Sequence, residues 1–410
     1  MQKSKGPGFS FLIIGINLFF WIFTVIFSYY QYGSLNQGFI QWDAIHYFDI
    51  AQKGYSYEYS LAFFPLMPYI WKFSFLPAFL IGLFHVLIVS YGMIRLQKLL
   101  NFNHRLFWFW LILPSTIFFH LPYSEAVFFL AGVFLIEGIV KNKTWLVLVA
   151  LLVLCITRPS SSIVLIALLI VNFSDINLSL KKRFELGLKY LGAILFGLLL
   201  VGLLQYVQTG FLFKFFDAQK YWDNELRIPT FPLRSWDSSF VVRFDGIAFL
   251  IGVVAGFIGL SQLIKKEKNF DGIHKAKIFS LLFLGGTALS VLLFRGGSLF
   301  SINRFIFCAP FFIFILQEFR SLSEKFSLKQ HSLLFLFINA YWLLFNSTVH
   351  IQAFLKYFLA SLLLIWSFGF LGSKRIVNYR LNYWQMIGIL ILTEMKIYMI
   401  IRFVNGEWVA

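Results

Sequence analysis

The sequence predicts an all-α polytopic membrane protein with about 11–13 transmembrane helices. Three observations carry this. The first is composition: of 410 residues, 59% are hydrophobic, 20% aromatic and only 13% charged. Soluble domains are about 45–50% apolar and about 25% charged. The 54 Phe and 12 Trp exceed what a soluble core of this size can hide, so lipid must solvate much of the surface. The second is the recurrence of apolar runs of about 20 residues, the length that crosses a bilayer. The third is a net charge of +17 whose cations lie beside those runs. Basic loops on the cytoplasmic side of a membrane explain that charge better than nucleic-acid binding does. Soluble enzymes, disordered chains, fibrous proteins and disulfide scaffolds are excluded. Cys155 and Cys308 sit in apolar runs and read as small core residues. Residues 1–410 read as a single integral membrane domain.

The first apolar run, 9–29, follows Lys3 and Lys5. It is long for a cleavable signal peptide, and Tyr29-Tyr30-Gln31 is a poor cleavage site, so it reads as a retained span. The next span covers 76–97. Residues 106–140 hold two short apolar runs broken around Pro122-Tyr123-Ser124-Glu125. Residues 144–173 hold two more, broken at Arg158-Pro159-Ser160-Ser161-Ser162. Proline and polar clusters interrupt helices at membrane depth only where protein or a wet cavity satisfies the backbone. Each region is therefore expected to make two short passes. Further spans are expected at 184–207, 244–264, 277–294, 303–318, 331–349, 352–371 and 384–403.

Charge sets the expected orientation. With the N-terminus inside, most Lys and Arg fall on inner loops and most Asp and Glu on outer ones. A single pass over 144–173 would turn Lys181-Lys182-Arg183 and Lys265-Lys266 outward, which favours two passes there. Two outer loops are long, 30–75 and 208–243, and both are rich in aromatic residues and carboxylates. Loops of that length are uncommon unless they work.

The first outer loop reads Trp42-Asp43-Ala44-Ile45-His46-Tyr47-Phe48-Asp49. On a helix Asp43, His46 and Tyr47 share a face, and Asp49 lies off it. One reading is an interfacial amphipathic helix with Asp43 as its N-cap. The other is a carboxylate at the membrane surface, oriented by a histidine, that takes a proton from a hydroxyl. Pro65 and Pro68 then forbid a regular helix through Ala62-Phe63-Phe64-Pro65-Leu66-Met67-Pro68.

Trp42-Asp43-Ala44-x-His46-Tyr47-x-x-Ile50-Ala51-x-x-Gly54-Tyr55, followed by Ala62-Phe63-Phe64-Pro65-Leu66-x-Pro68, resembles the PIG-V mannosyltransferase family, including its bacterial members. That family lies in the glycosyltransferase C superfamily. Shorter matches fall at Pro114-Ser115, Tyr123-Ser124-Glu125, Thr157-Arg158-Pro159 and Asn303-Arg304-Phe305. The resemblance covers the first 160 or so residues, and the C-terminal half mainly through topology and Arg304. It implies a glycosyltransferase C architecture with short interfacial helices in the first outer loop and an outward-facing site. It also implies mannose transfer from a polyprenyl- or dolichyl-phosphate mannose donor, with Asp43 in the catalytic position. Eukaryotic members act on a GPI-anchor precursor. Phe-, Ile- and Lys-rich usage suggests an AT-rich bacterial genome. A bacterium lacks GPI, so what the resemblance implies here is a bacterial inner membrane enzyme with another lipid or glycan acceptor.

The chemistry of such a donor fits these residues. Its leaving group is a phosphate, which needs cations but no general acid, so one carboxylate suffices for inverting displacement. Asp43 is the expected base, and Asp49 the second candidate. His46 is expected to orient the base or bind phosphate, with Tyr47 and Asp49 beside it at the substrate. Arg158, at a helix break, should have a partner, unless it snorkels. Arg295 and Arg304 flank Gly296-Gly297-Ser298-Leu299-Phe300-Ser301-Ile302-Asn303 and suit bidentate phosphate binding, or interfacial anchoring. Glu125 is expected to pair with Arg158 or to hold a sugar hydroxyl. Trp222-Asp223-Asn224-Glu225 and Trp236-Asp237 suit sugar stacking or an aromatic belt. Asp217, Asp223 and Glu225 could offer oxygen ligands to a metal, but their spacing is not diagnostic, and no required metal or cofactor is expected. No phosphate-binding Gly-Lys loop or His-Glu-x-x-His pair is present, and no inner loop is large enough for a nucleotide-sugar domain. The competing class is a transporter or flippase of lipid-linked sugars. It would show paired broken helices in repeated halves, whereas the breaks here crowd the first 160 residues.

Overall fold

A computed structural model describes residues 8–236, 241–265, 270–345, 351–372 and 383–409. Among the described residues there is no β-strand, only two isolated bridges, Leu233 to Phe345 and Arg234 to Ser298. The chain is an all-α polytopic membrane protein. Among the described residues, six helices are long and apolar enough to cross a bilayer: Gly8–Tyr32, Ala78–Leu100, Leu180–Thr209, Val241–Ile264, Gly272–Phe294, and Leu355–Gly372 within the helix Ile351–Gly372. A further long helix, Tyr383–Val404, carries Glu394 and Lys396.

The remaining apolar segments are short or broken, and the two short passes expected in 144–173 are the helices Thr144–Thr157 and Ser161–Ser174. The break at Arg158 is where the sequence puts it: Thr144–Thr157 ends there and Ser161–Ser174 begins just beyond. In 106–140 the interruption starts earlier than expected. The helix His104–Ile112 stops at Leu113-Pro114, a 3₁₀ segment Pro114–Phe119 follows, and Glu125–Val140 starts after Ser124. Proline has no N–H to give and its ring collides with the preceding turn, so Pro114 ends the helix before Pro122 is reached. The span expected over 303–318 is split for the same reason. Ile302–Phe307 and Phe312–Ser323 flank Pro310. Of the span expected over 331–349, Leu328–Tyr341 and a 3₁₀ turn Trp342–Leu344 are present, and 346–350 lie outside the described residues. Asp237 lies outside them too.

Glu125–Val140 is the axis of the molecule. Its residues are buried on nearly every face, Glu125 included. Around it the broken ends satisfy one another. Lys396, fully buried, donates to Leu111 O at 2.7 Å and to Thr116 Oγ1 at 2.9 Å, and lies 3.9 Å above the Phe20 ring. The carbonyls freed at the Pro114 break thus gain a donor inside the membrane. Trp110 Nε1 likewise donates to Phe307 O at the Pro310 break.

The second long loop folds onto the turn after Gly272–Phe294. Glu225 N donates to Phe294 O at 2.8 Å, Thr230 N to Gly296 O at 3.1 Å and Leu299 N to Arg234 O at 2.7 Å. Gly297 has φ 93°, and a Cβ there would meet Thr230 O at 2.4 Å, so only glycine fits. The helices Val241–Ile264 and Gly272–Phe294 cross at paired glycines: a Cβ on Gly285 would stand 2.4 Å from Gly256 Cα. Small residues of this kind let membrane helices approach closely. Gly285→Ala forces these backbones apart and is expected to cost about 1–3 kcal/mol. The readout is a lower melting midpoint of the detergent-solubilised protein, with Gly192→Ala, which meets open space, leaving the midpoint near wild type.

Candidate active site

The first loop folds into four short pieces: a 3₁₀ turn Gln37–Phe39, a helix Asp43–Lys53, a 3₁₀ turn Glu58–Ala62 and a helix Leu66–Ser74. Pro65 sits at the start of the last, where its lost N–H costs nothing. Asp43 is the first helical residue and not the N-cap. Trp42 takes that position with φ 54°, a left-handed conformation unusual for a bulky side chain. Its ring packs edge-on against Trp408 at 4.9 Å. The strained cap frees the Asp43 carboxylate from capping its own helix.

That carboxylate pairs with Arg304. Arg304 Nη1 lies 2.7 Å from Asp43 Oδ2, with side chains only 7% and 14% exposed. Arg304 Nε lies 3.6 Å from Glu125 Oε1, whose side chain is wholly buried. Arg158 also pairs with Glu125, and its Nε donates to Ser124 Oγ at 2.8 Å. Tyr47 Oη donates to the same Oγ at 3.1 Å. Residues 43, 47, 125, 158 and 304 therefore form one buried network. Arg295 adjoins it through Phe305. The Arg158, Arg304 and Arg295 guanidiniums lie 5.0, 5.2 and 5.8 Å from that ring. Arg295 itself packs 3.7 Å from the Phe300 ring and donates to Asn224 Oδ1 at 2.8 Å.

Asp245 completes the cluster and was visible to sequence reading only as one more outer acid. It is fully buried, accepts from Asn303 N at 3.1 Å and from the Ser235 hydroxyl, and so anchors the start of the Arg304 helix and a point on the second loop. An acid in the first turn of an apolar span was the available signal. Three arginines thus face three carboxylates. Glu125 Oε2 and both amide atoms of Asn303 are buried without a hydrogen-bond partner.

Two expected residues stand apart. Asp49 is 42% exposed and pairs with Lys53 at 3.5 Å, outside the network. His46 lies among rings: Phe63 at 4.8 Å, Trp222 at 5.1 Å and Tyr59 at 5.7 Å. Burial lowers its pKa below the ordinary 6.5, against the pull of Asp43 and Asp49. Burial raises the Tyr47 hydroxyl well above its ordinary value, so it stays protonated. Asp223 and Glu225 are held by Arg227 at 2.6 and 3.0 Å.

An apolar cavity of about 210 Å³ is lined by Phe109, Pro114, Phe244, Phe307 and Phe312 among others. Phe307 is one turn beyond Arg304 on the same helix.

Residues 22–109 match the family described as Mannosyltransferase (PIG-V). The matched stretch holds the whole Trp42-to-Pro68 motif and bears out the resemblance read from it; Glu125, Arg158, Arg295 and Arg304 lie beyond it. The match supports glycosyltransferase activity, with a sugar donor and an acceptor as substrates, in an integral multi-pass membrane protein. No curated protein and no solved structure matches the chain.

Two outcomes follow from the geometry. Glu125→Gln leaves Arg158 and Arg304 short of their shared anion and is expected to destabilise the fold by about 3 kcal/mol, read as a lower melting midpoint. His46 binds its proton less readily folded than unfolded. Stability therefore falls as pH drops below 6.5, until the lowered folded pKa is passed. His46→Gln is expected to flatten this part of the acid limb in melts taken from about pH 7 to about pH 5.

Proposed function

We propose that the chain is an inverting mannosyltransferase. It moves mannose from a polyprenyl-phosphate mannose donor to a lipid or glycan acceptor, at a site facing outward from a bacterial inner membrane. The observation that carries this reading is the meeting of Asp43 with Arg304, close to Arg158 and Arg295. It supports reading Asp43 as the base and the arginines as ligands of the donor phosphate.

The donor phosphate takes the guanidiniums of Arg304, Arg158 and Arg295, and its lipid chain follows the apolar cavity past Phe307. Arg304 then turns from Asp43 to the phosphate, which leaves the carboxylate to the acceptor. The acceptor oxygen bonds to the anomeric carbon, the bond from that carbon to the phosphate oxygen breaks, and the hydroxyl proton passes to Asp43. The leaving phosphate keeps the bonding electron pair and gains one negative charge as Asp43 loses one. The net charge of the site is unchanged across the step, which suits a low-dielectric setting where a new unpaired charge is costly. Asp245 holds the Arg304 helix, and Tyr47 and Ser124 hold Arg158. Orientation rests on the excess of cations on the loops assigned to the inside.

The test is sugar transfer from radiolabelled polyprenyl-phosphate mannose in membranes expressing the chain. Asp43→Asn keeps the shape but cannot take a proton, and transfer is expected to fall by about 10²–10⁴-fold. Arg304→Met is expected to raise the donor KM and slow transfer together. Transfer by Asp43→Asn at the wild-type rate would move the base to another residue.

A further inference from the structure

We infer that the segment 405–409 is a clamp that aims the Asp43 carboxylate, with Trp408 as the positioning residue that acts through Trp42. The inference rests on the transferase reading, because it takes Asp43 as the base.

The aim of Asp43 depends on the residue before it. Trp42 has φ 54° and ψ −120°, and Ala44 N donates to Gln41 O at 3.1 Å. These are the marks of a type II′ turn with Trp42 at its first central position, where glycine is the usual residue. A bulky residue keeps such a conformation only where its surroundings impose it. Aspartate is also among the strongest helix N-caps. Were Trp42 to relax to an extended conformation, Asp43 would become the cap, and its carboxylate would turn back to the free N–H groups of its own helix. Its pair with Arg304, 2.7 Å long, would then open. Something must therefore hold Trp42 in place.

The last helix supplies the hold. The end of Tyr383–Val404 packs against the start of the first loop: Tyr32 Oη donates to Val404 O at 2.7 Å, and a Cβ on Gly38 would stand 2.9 Å from Val404 Cγ1. Beyond Val404 the chain turns back in a Schellman motif. Gly406, at φ 78°, donates its N–H to Phe403 O at 2.9 Å, and Glu407 N donates to Arg402 O at 2.9 Å. This reversal carries Trp408 onto Trp42, with the rings edge to face and their centroids 4.9 Å apart. Both indole N–H groups are buried without a hydrogen-bond partner, so ring packing makes the contact. The same helix also reaches the other side of the turn. Phe403 packs on the Tyr123 ring at 5.9 Å, and Tyr123 Oη donates to Gln41 O at 3.1 Å. The turn that presents Asp43 is thus gripped at Gln41 and at Trp42. Trp408 lies past the end of the helix, so loss of its ring leaves the buried Lys396 and Met399 in place.

The test uses the full chain in lipid nanodiscs and two readouts: mannose transfer from radiolabelled polyprenyl-phosphate mannose, and hydrogen exchange of the first loop. Trp408→Ala is expected to lower kcat about ten- to a hundredfold and to leave the donor KM within about twofold of wild type, because the base is misplaced while the arginines still hold the phosphate. Trp408→Phe keeps an edge-on ring and is expected to recover most of the lost rate. Trp42→Ala is expected to match Trp408→Ala, and the double variant Trp42→Ala/Trp408→Ala to fall no further, because the two rings act as one contact. Amides in 41–54 are expected to exchange about tenfold faster in Trp408→Ala, and those in 66–74 at the wild-type rate. Additive losses in the double variant, a raised donor KM with kcat unchanged, or wild-type exchange across 41–54 overturns the clamp. Faster exchange with no transfer by the wild type, or with transfer that survives Asp43→Asn, overturns the transferase reading instead, so the two failures are separable.

Discussion

The structure depends on the neutralisation of Arg304. A guanidinium that is only 7% exposed in a lipid-embedded protein must be paired, or its burial is prohibitive. Its partners come from distant parts of the chain: Asp43 from the first loop and Glu125 from the start of the central helix. Glu125 also holds Arg158, and Arg158 holds Ser124. Removing Asp43 or Glu125 leaves a buried guanidinium short of a counter-charge. The cluster therefore fixes the first loop, the two helix breaks and the short Arg304 helix relative to one another.

That arrangement requires backbone irregularity at membrane depth. The helices stop at Leu113, Arg158 and Cys308 where straight spans would carry the site residues apart. Each stop frees carbonyls that hydrocarbon cannot solvate. The chain meets this by cross-satisfaction. Lys396 serves Leu111, Trp110 serves Phe307, and Cys308 Sγ donates to Ser115 O at 3.3 Å. The buried lysine that looks anomalous in the last helix is a donor for a broken helix end. Residues at two of the breaks, Pro114 and Phe307, also line the apolar cavity.

Much of this was legible in one dimension. Lipid solvation follows from composition, because apolar side chains in such excess leave no other solvent. The Arg158 break was readable because Pro and three serines interrupt an apolar run. The earlier break at Pro114 was obscured by the polar cluster at 122–125, which draws the eye although a proline already ends the helix. Pro310 was passed over within an apolar run long enough to look like one span. Asp245 stood as an acid at the start of an apolar span, a signal that goes unused when it is grouped with the outer acids, and Asp49 remained a second candidate because spacing along a helix does not reveal which side of it is covered.

The sequence by itself determined the solvent, the helical class and the residue types able to bind phosphate and take a proton. It also carried the motif that identifies the first loop. These are local properties, set by composition, proline and short-range spacing. Tertiary structure alone decided which charges meet. Residues 43, 125, 158, 245 and 304 share no periodicity, and a salt bridge across more than 250 positions leaves no trace in spacing. Their partnership arises from helix packing, and in a low-dielectric interior packing must bring each buried charge to its counterpart.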